Sequence, residues 1–190
     1  MKRRFRKLCW ALAGLLAASG AAQAQGVLRA EQPKTPRNTL LAALDNVGLR
    51  QCRPAFERLT NLALDGVRGN DVLLDWDRRK KDSSPVFTLI GLDYPNGGAA
   101  FSMTAIPNDK GECSISAERI SAAPVACNAL AQQELAGYRM TRLLPTMAVY
   151  VDPKDDSAST VSLIDSPPGC LVIRRYVSFN WTPPPVSSPR

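Results

Sequence analysis

Asp75 and Asp77 stand two residues apart in the stretch DVLLDWD of residues 71–77. On an extended strand that spacing puts both carboxylates on one face, about 6–7 Å apart. Two carboxylates at such a distance are the equipment for acid–base cleavage of a glycosidic bond. The alternation of Asp71, Asp75 and Asp77 with Val72, Leu74 and Trp76 also describes a strand with one wet face. The sequence favours that solvent-facing reading. Asp152, Asp155 and Asp156 bring three more carboxylates together and hint at calcium. Their spacing does not make a twelve-residue loop ending in Glu, so they read as a solvated turn.

The chain contains no histidine. That excludes Ser-His-Asp and Cys-His catalysis and every histidine-bearing metal site. Beyond residue 24 the lysines are Lys34, Lys80, Lys81, Lys110 and Lys154. All fall in segments that read as leader or turn, where water keeps them protonated, which argues against a Ser-Lys dyad. No Gly-x-Ser-x-Gly elbow, phosphate loop or dinucleotide fingerprint is present, so the sequence implies no cofactor.

The cysteines carry a different message. Cys9 lies in the first 24 residues, and Cys52, Cys113, Cys127 and Cys170 follow. None is part of a Cys-x-x-Cys pair, so neither a dithiol redox centre nor a structural zinc site is indicated. Four isolated cysteines in an exported chain predict two disulfides, with three connectivities open.

Export is itself legible. Lys2, Arg3, Arg4, Arg6 and Lys7 form a cationic cluster, residues 8–16 are mostly apolar, and small residues lead to Ala22-Gln23-Ala24. Charge, short apolar core and small-x-small site in that order describe a secretory signal at residues 1–24, cleaved after Ala24. The apolar run falls well short of the roughly 20 residues that span a bilayer core. The expected product has no stable membrane anchor and belongs in the periplasm or outside the cell.

Removing the signal changes the charge argument. The whole chain has 24 basic and 17 acidic residues, and five of the basic ones lie in the signal with no acid beside them. The remainder carries 19 basic against 17 acidic residues, a net of +2. The high isoelectric point therefore belongs largely to the targeting segment and is no nucleic-acid footprint. One basic run persists, Arg78-Arg79-Lys80-Lys81, flanked by Asp75, Asp77 and Asp82 and read as a solvated hairpin loop.

Residues 25–36 read as a flexible leader. Asn38 or Thr39 caps a helix in which Leu40, Leu41, Leu44 and Val47 recur at helical spacing. Gly48 weakens or ends it, Arg53-Pro54 restarts it, and Phe56, Leu59, Leu62 and Ala63 continue an apolar face up to Asp65-Gly66. Residues 71–77, 86–92, 101–105 and 113–120 read as four strands with tight turns, an antiparallel meander. A second helix is expected from Pro124 to about Ala136, with Val125, Leu130, Ala131 and Leu135 buried and Gly137 ending it. Three further strands cover residues 138–151 (interrupted at Pro145), 160–165 and 171–179. Residues 182–190 read as a Pro/Ser-rich disordered tail.

The fold class is thus α+β: one domain over residues 37–181, an antiparallel sheet of about six to seven strands with two helices packed on one face, stapled by disulfides. Counting these strands up and down leaves Cys52, Cys113 and Cys170 at one end of the sheet and Cys127 at the other. Bridged Cα atoms lie within about 7 Å, so that count is inconsistent with two bridges and one boundary must be wrong. The favoured pairing is Cys52–Cys113 with Cys127–Cys170, and Cys113–Cys127 is its chief rival.

Arg174, Arg175, Tyr176 and Trp181 are the candidate partner surface, because Arg, Tyr and Trp dominate binding hot spots. Signal, stapled scaffold and the lack of a reactive constellation point to a non-enzymatic exported protein. It would bind another exported or envelope protein as an accessory, chaperone, inhibitor or immunity-type factor. A carboxylate-dependent hydrolase of envelope glycans is the alternative. A small-ligand carrier using the concave sheet face is the other, and it calls for an apolar pocket of about 300 Å³ or more. Mass spectrometry of the native product should find an amino terminus at Gln25 and no free thiol. An intact Met1 or four alkylatable cysteines would refute the export reading.

Overall fold

The computed structural model describes residues 37–155 and 158–183. The expected signal, the leader to residue 36 and the tail from residue 184 lie outside the described residues.

Helix α1 (Thr39–Val47) opens on Asn38, whose side chain accepts the Leu41 N–H at 3.1 Å. It closes on Gly48, which takes φ 76° and donates its N–H back to the last turn. Leu40 and Leu44, four apart, are its buried stripe. Helix α2 (Arg53–Ala63) buries Ala55, Phe56, Thr60 and Ala63. Leu62, expected on that face, points away and is 71 % exposed. The restart at Arg53-Pro54 is a true break, since Cys52 between the helices has φ 59°. A non-glycine residue in that left-handed region costs about 1–2 kcal/mol and persists only where its surroundings fix it. Here Cys52 is buried and bonded to Cys113.

Eight strands, not six or seven, form one antiparallel sheet. They are β1 (Gly69–Trp76), β2 (Val86–Tyr94), β3 (Gly97–Pro107), β4 (Cys113–Ala123), β5 (Arg139–Leu144), β6 (Met147–Val151), β7 (Thr160–Ser166) and β8 (Gly169–Trp181). Their spatial order is β1-β2-β3-β4-β8-β7-β6-β5, two meanders joined where β8 pairs with β4. Helix α3 (Cys127–Glu134) lies between the meanders in sequence. It starts later than the expected Pro124 because Ala126, its cap, is still extended at ψ 146°. Val125 is consequently exposed instead of buried.

The missing strand resolves the cysteine inconsistency. Residues 138–151 are not one interrupted strand but the hairpin β5–β6, turning at Pro145-Thr146. Pro cannot donate to a ladder, so it belongs in the turn. One extra reversal flips the direction of everything after it. Cys170 then pairs with Ala123 at the far end of β4 from Cys113, beside the start of α3. Both bridges form: Cys52–Cys113 with Cα atoms 5.8 Å apart and Cys127–Cys170 with 4.9 Å.

Register places the helices on one face. Residues paired across an antiparallel ladder share a side. Val86, Ile90, Met103, Ala105, Ile115 and Ala117 therefore share a face with Val161, Leu163, Cys170 and Val172. The first set packs under α1 and α2 and the second under α3, as two separate cores. Fully burying side chains such as Phe56, Leu40 and Ile90 contributes about 1.5–3 kcal/mol each. In the β7–β8 turn, Gly169 runs so close to the Ala123 carbonyl that a Cβ would collide with it.

Each bridge ties a helix start to a strand start. Chain-entropy cost varies with the logarithm of loop length, and the bridged residues are 61 and 43 apart. Replacing either cysteine pair by alanine should lower the unfolding free energy by about 2–5 kcal/mol, measured by urea denaturation. The two losses should differ by only about 0.3 kcal/mol. A loss under about 1 kcal/mol for either pair would show that its helix packs without the tether.

Candidate functional site

One row of the inner face crosses the whole sheet: Val72, Ile90, Phe101, Arg119, Arg174, Val161, Tyr150 and Met140. Two arginines interrupt an otherwise apolar and aromatic series, and they sit between the two cores. Arg119 Cζ lies 4.7 Å from the centre of the Tyr94 ring. The Tyr94 hydroxyl donates to the Ala63 carbonyl at 2.7 Å, so the last turn of α2 fixes that ring. Arg119 Nε is buried without a hydrogen-bond partner. Arg174 donates to Glu134 at 2.6 Å, at the end of α3. Sequence reasoning passed over Arg119. The signal was present: Cys113, Ile115, Ala117 and Arg119 alternate in phase, which puts a charge at a core-facing position.

Of the four residues expected to form a partner surface, Arg174, Arg175 and Tyr176 meet and Trp181 does not. The three line a recess of about 240 Å³ with Tyr138, Asp152 and Val161. Alternation nevertheless sends Arg175 towards the outer face, where its Nε pairs with Glu118 at 3.2 Å. Trp181 belongs to the core under α1 and α2. A bulge opposite Ser114 shifts the register, so Cys113 faces Trp181 while Ile115 faces Ser178. Asn180 takes φ 53° there, a conformation Asn tolerates. The extra residue turns Trp181 inward and leaves Phe179 76 % exposed.

The carboxylate candidates are occupied or open to water. Asp75 is exposed on the outer face opposite Phe87. Asp77 lies just past β1 and accepts the Arg79 N–H at 2.8 Å, shaping the turn of the basic run. Asp152 accepts the Lys154 N–H at 2.9 Å, again a turn. Asp156 lies outside the described residues. Among the described residues no group of three or more His, Cys, Asp or Glu is placed to hold a metal. Within the basic run, Arg78 stacks over Trp76 at 5.6 Å. Larger depressions of about 530 and 460 Å³ lie beside α2 and the α1–α2 turn, away from the inner sheet face.

The outer face is the other notable surface. None of the three helices packs on it. Leu73 faces Leu89 directly, with Phe87 beside them, and their exposures are 66, 43 and 50 %. Asp71 and Asp75 rim this patch, while Asp93 beyond them is paired with Arg68 at 2.9 Å. A second apolar row runs through Ala122, Leu171, Ile164, Met147 and Leu144. Soluble domains seldom leave such patches without a use.

Comparison with protein-family models, with curated proteins and with solved structures gives no significant match to this chain. The two disulfides fit an oxidising, non-cytosolic compartment. Among the described residues no helix is long and apolar enough to cross a membrane.

Asp82 joins the basic loop to the α1–α2 turn. Its carboxylate accepts the Arg50 N–H at 2.8 Å and the Gln51 N–H at 3.0 Å. Those two backbone donors hold its pKa below the ordinary value. The stabilisation is complete above the unfolded pKa of about 3.9 and disappears as pH falls through the lower folded value. Asp82→Ala should reduce the melting temperature by about 2–4 °C at neutral pH, after discounting for solvent exposure. The gap to wild type should close in acid, and calorimetry at pH 7 and pH 3 checks it. A gap that persists in acid would mean the carboxylate charge is not what holds the turn.

Proposed function

We propose that this is an exported, non-enzymatic protein that binds another exported or envelope protein through the uncovered face of its sheet. Residues 1–24 serve as the cleaved signal, and the working protein begins at Gln25, in the periplasm or beyond. The observation that carries the reading is the outer apolar patch of Leu73, Phe87 and Leu89, exposed beside the acidic rim of Asp71 and Asp75. Apolar anchors at the centre of a patch supply most of an interface's energy, and a charged rim steers the encounter. The docking segment of the partner is therefore apolar, with Lys or Arg at its margins. Asp75, one of the two carboxylates weighed for glycosidic chemistry, becomes part of that rim.

A photo-crosslinking residue placed at Phe87 should capture one protein of discrete mass in the intact envelope. The same residue at Leu62, still more open to water but on α2, should capture none. Asp71→Lys with Asp75→Lys should abolish the adduct at position 87 while both disulfides still form. No adduct, or equal adducts at both positions, would overturn the proposal.

A further inference from the structure

We propose that Arg119, with Arg174 beside it, forms a binding site for a carboxylate-bearing ligand on the inner sheet face between the two cores. The inference concerns the inner face and stands independently of the outer patch.

The two arginines are direct cross-strand partners on β4 and β8. Like charges so placed destabilise a sheet, and the rest of their row is apolar or aromatic. Arg119 reaches past the small residues Ala99 and Ser121 of the next row to the Tyr94 ring. Arg174 reaches Glu134 at the end of α3. Glu134 answers the charge of Arg174. Among the described residues no carboxylate makes an ion pair with Arg119, whose Nε is desolvated and unbonded. Its contact is the face of Tyr94, a weak counterpart for a full charge. The pair with Glu134 leaves the Arg119 guanidinium without a carboxylate of its own among the described residues, and one further carboxylate would answer it. A guanidinium presents its donors as a planar fork that matches a carboxylate. Arg119 is only half-buried, so part of the side chain is open to a ligand.

A carboxylate can come from a free organic acid or from an Asp or Glu of a peptide. The purified, disulfide-bonded protein should be titrated with sodium glutamate, with an acidic hexapeptide, and with sodium chloride at matched ionic strength. Arginine Nε–Hε resonances locate the contact and calorimetry gives the affinity. A saturable shift of the Arg119 and Arg174 signals with glutamate marks a small acid as the ligand. A shift with the peptide alone marks a protein side chain. No saturable shift with either, or the same shift in chloride, overturns the site. Arg119→Lys keeps the charge but loses the fork and should weaken binding about tenfold or more. Arg119→Met should abolish binding while the melting temperature holds or rises, because apolar replacement of a poorly paired buried charge often stabilises. A clear fall in melting temperature with binding unchanged would make Arg119 a structural partner of Tyr94 and sink the proposal.

Discussion

An eight-stranded sheet has two faces, and helices of nine, eleven and eight residues cover only one of them. All three helices among the described residues lie on the same side, and each helical layer is fastened to the sheet by one cystine. Cys52–Cys113 sets the start of α2 against the start of β4. Cys127–Cys170 sets the start of α3 against the start of β8. The two attachments stand at opposite ends of the β4–β8 pair. The remaining architecture follows: two small cores instead of one, a pair of arginines between them, and a reverse side that none of these three helices covers.

The two faces accordingly have different chemistry. On the inner one, polar atoms sit where apolar packing is the norm, and each therefore has a cost to justify. Thr60 meets it by donating to the Phe56 carbonyl at 2.6 Å, and Tyr94 by donating to Ala63. Arg119 does not. On the reverse side the anomaly is opposite in sign, with large apolar groups left in water.

The elements were mostly legible in the sequence because their punctuation is local. Asn38 and Gly48 bracket α1 by cap chemistry, and Asn108-Asp109-Lys110-Gly111 turns β3 into β4. Non-local consequences were harder. A single unrecognised reversal at Pro145 inverted the direction of β7 and β8 on paper and made the correct cystine pairing look impossible. The bulge at Asn180 could not be read from spacing, so Trp181 was grouped with residues it does not approach. Arg119 was readable but passed over: strand alternation marks it as inward-facing, and only the tertiary setting shows that no carboxylate among the described residues answers its charge. The outer patch was invisible in principle, since periodicity shows which residues share a face and not whether another layer covers it.

The position of β8 in the chain has one more consequence. It is the last of the eight strands to leave the ribosome, yet it sits in the middle of the sheet with a neighbour on each side. Until it arrives, β4 and β7 are both raw edges, and Cys127 has no mate. The protein therefore cannot finish folding from its beginning. All eight strands have to be synthesised before the two halves can join.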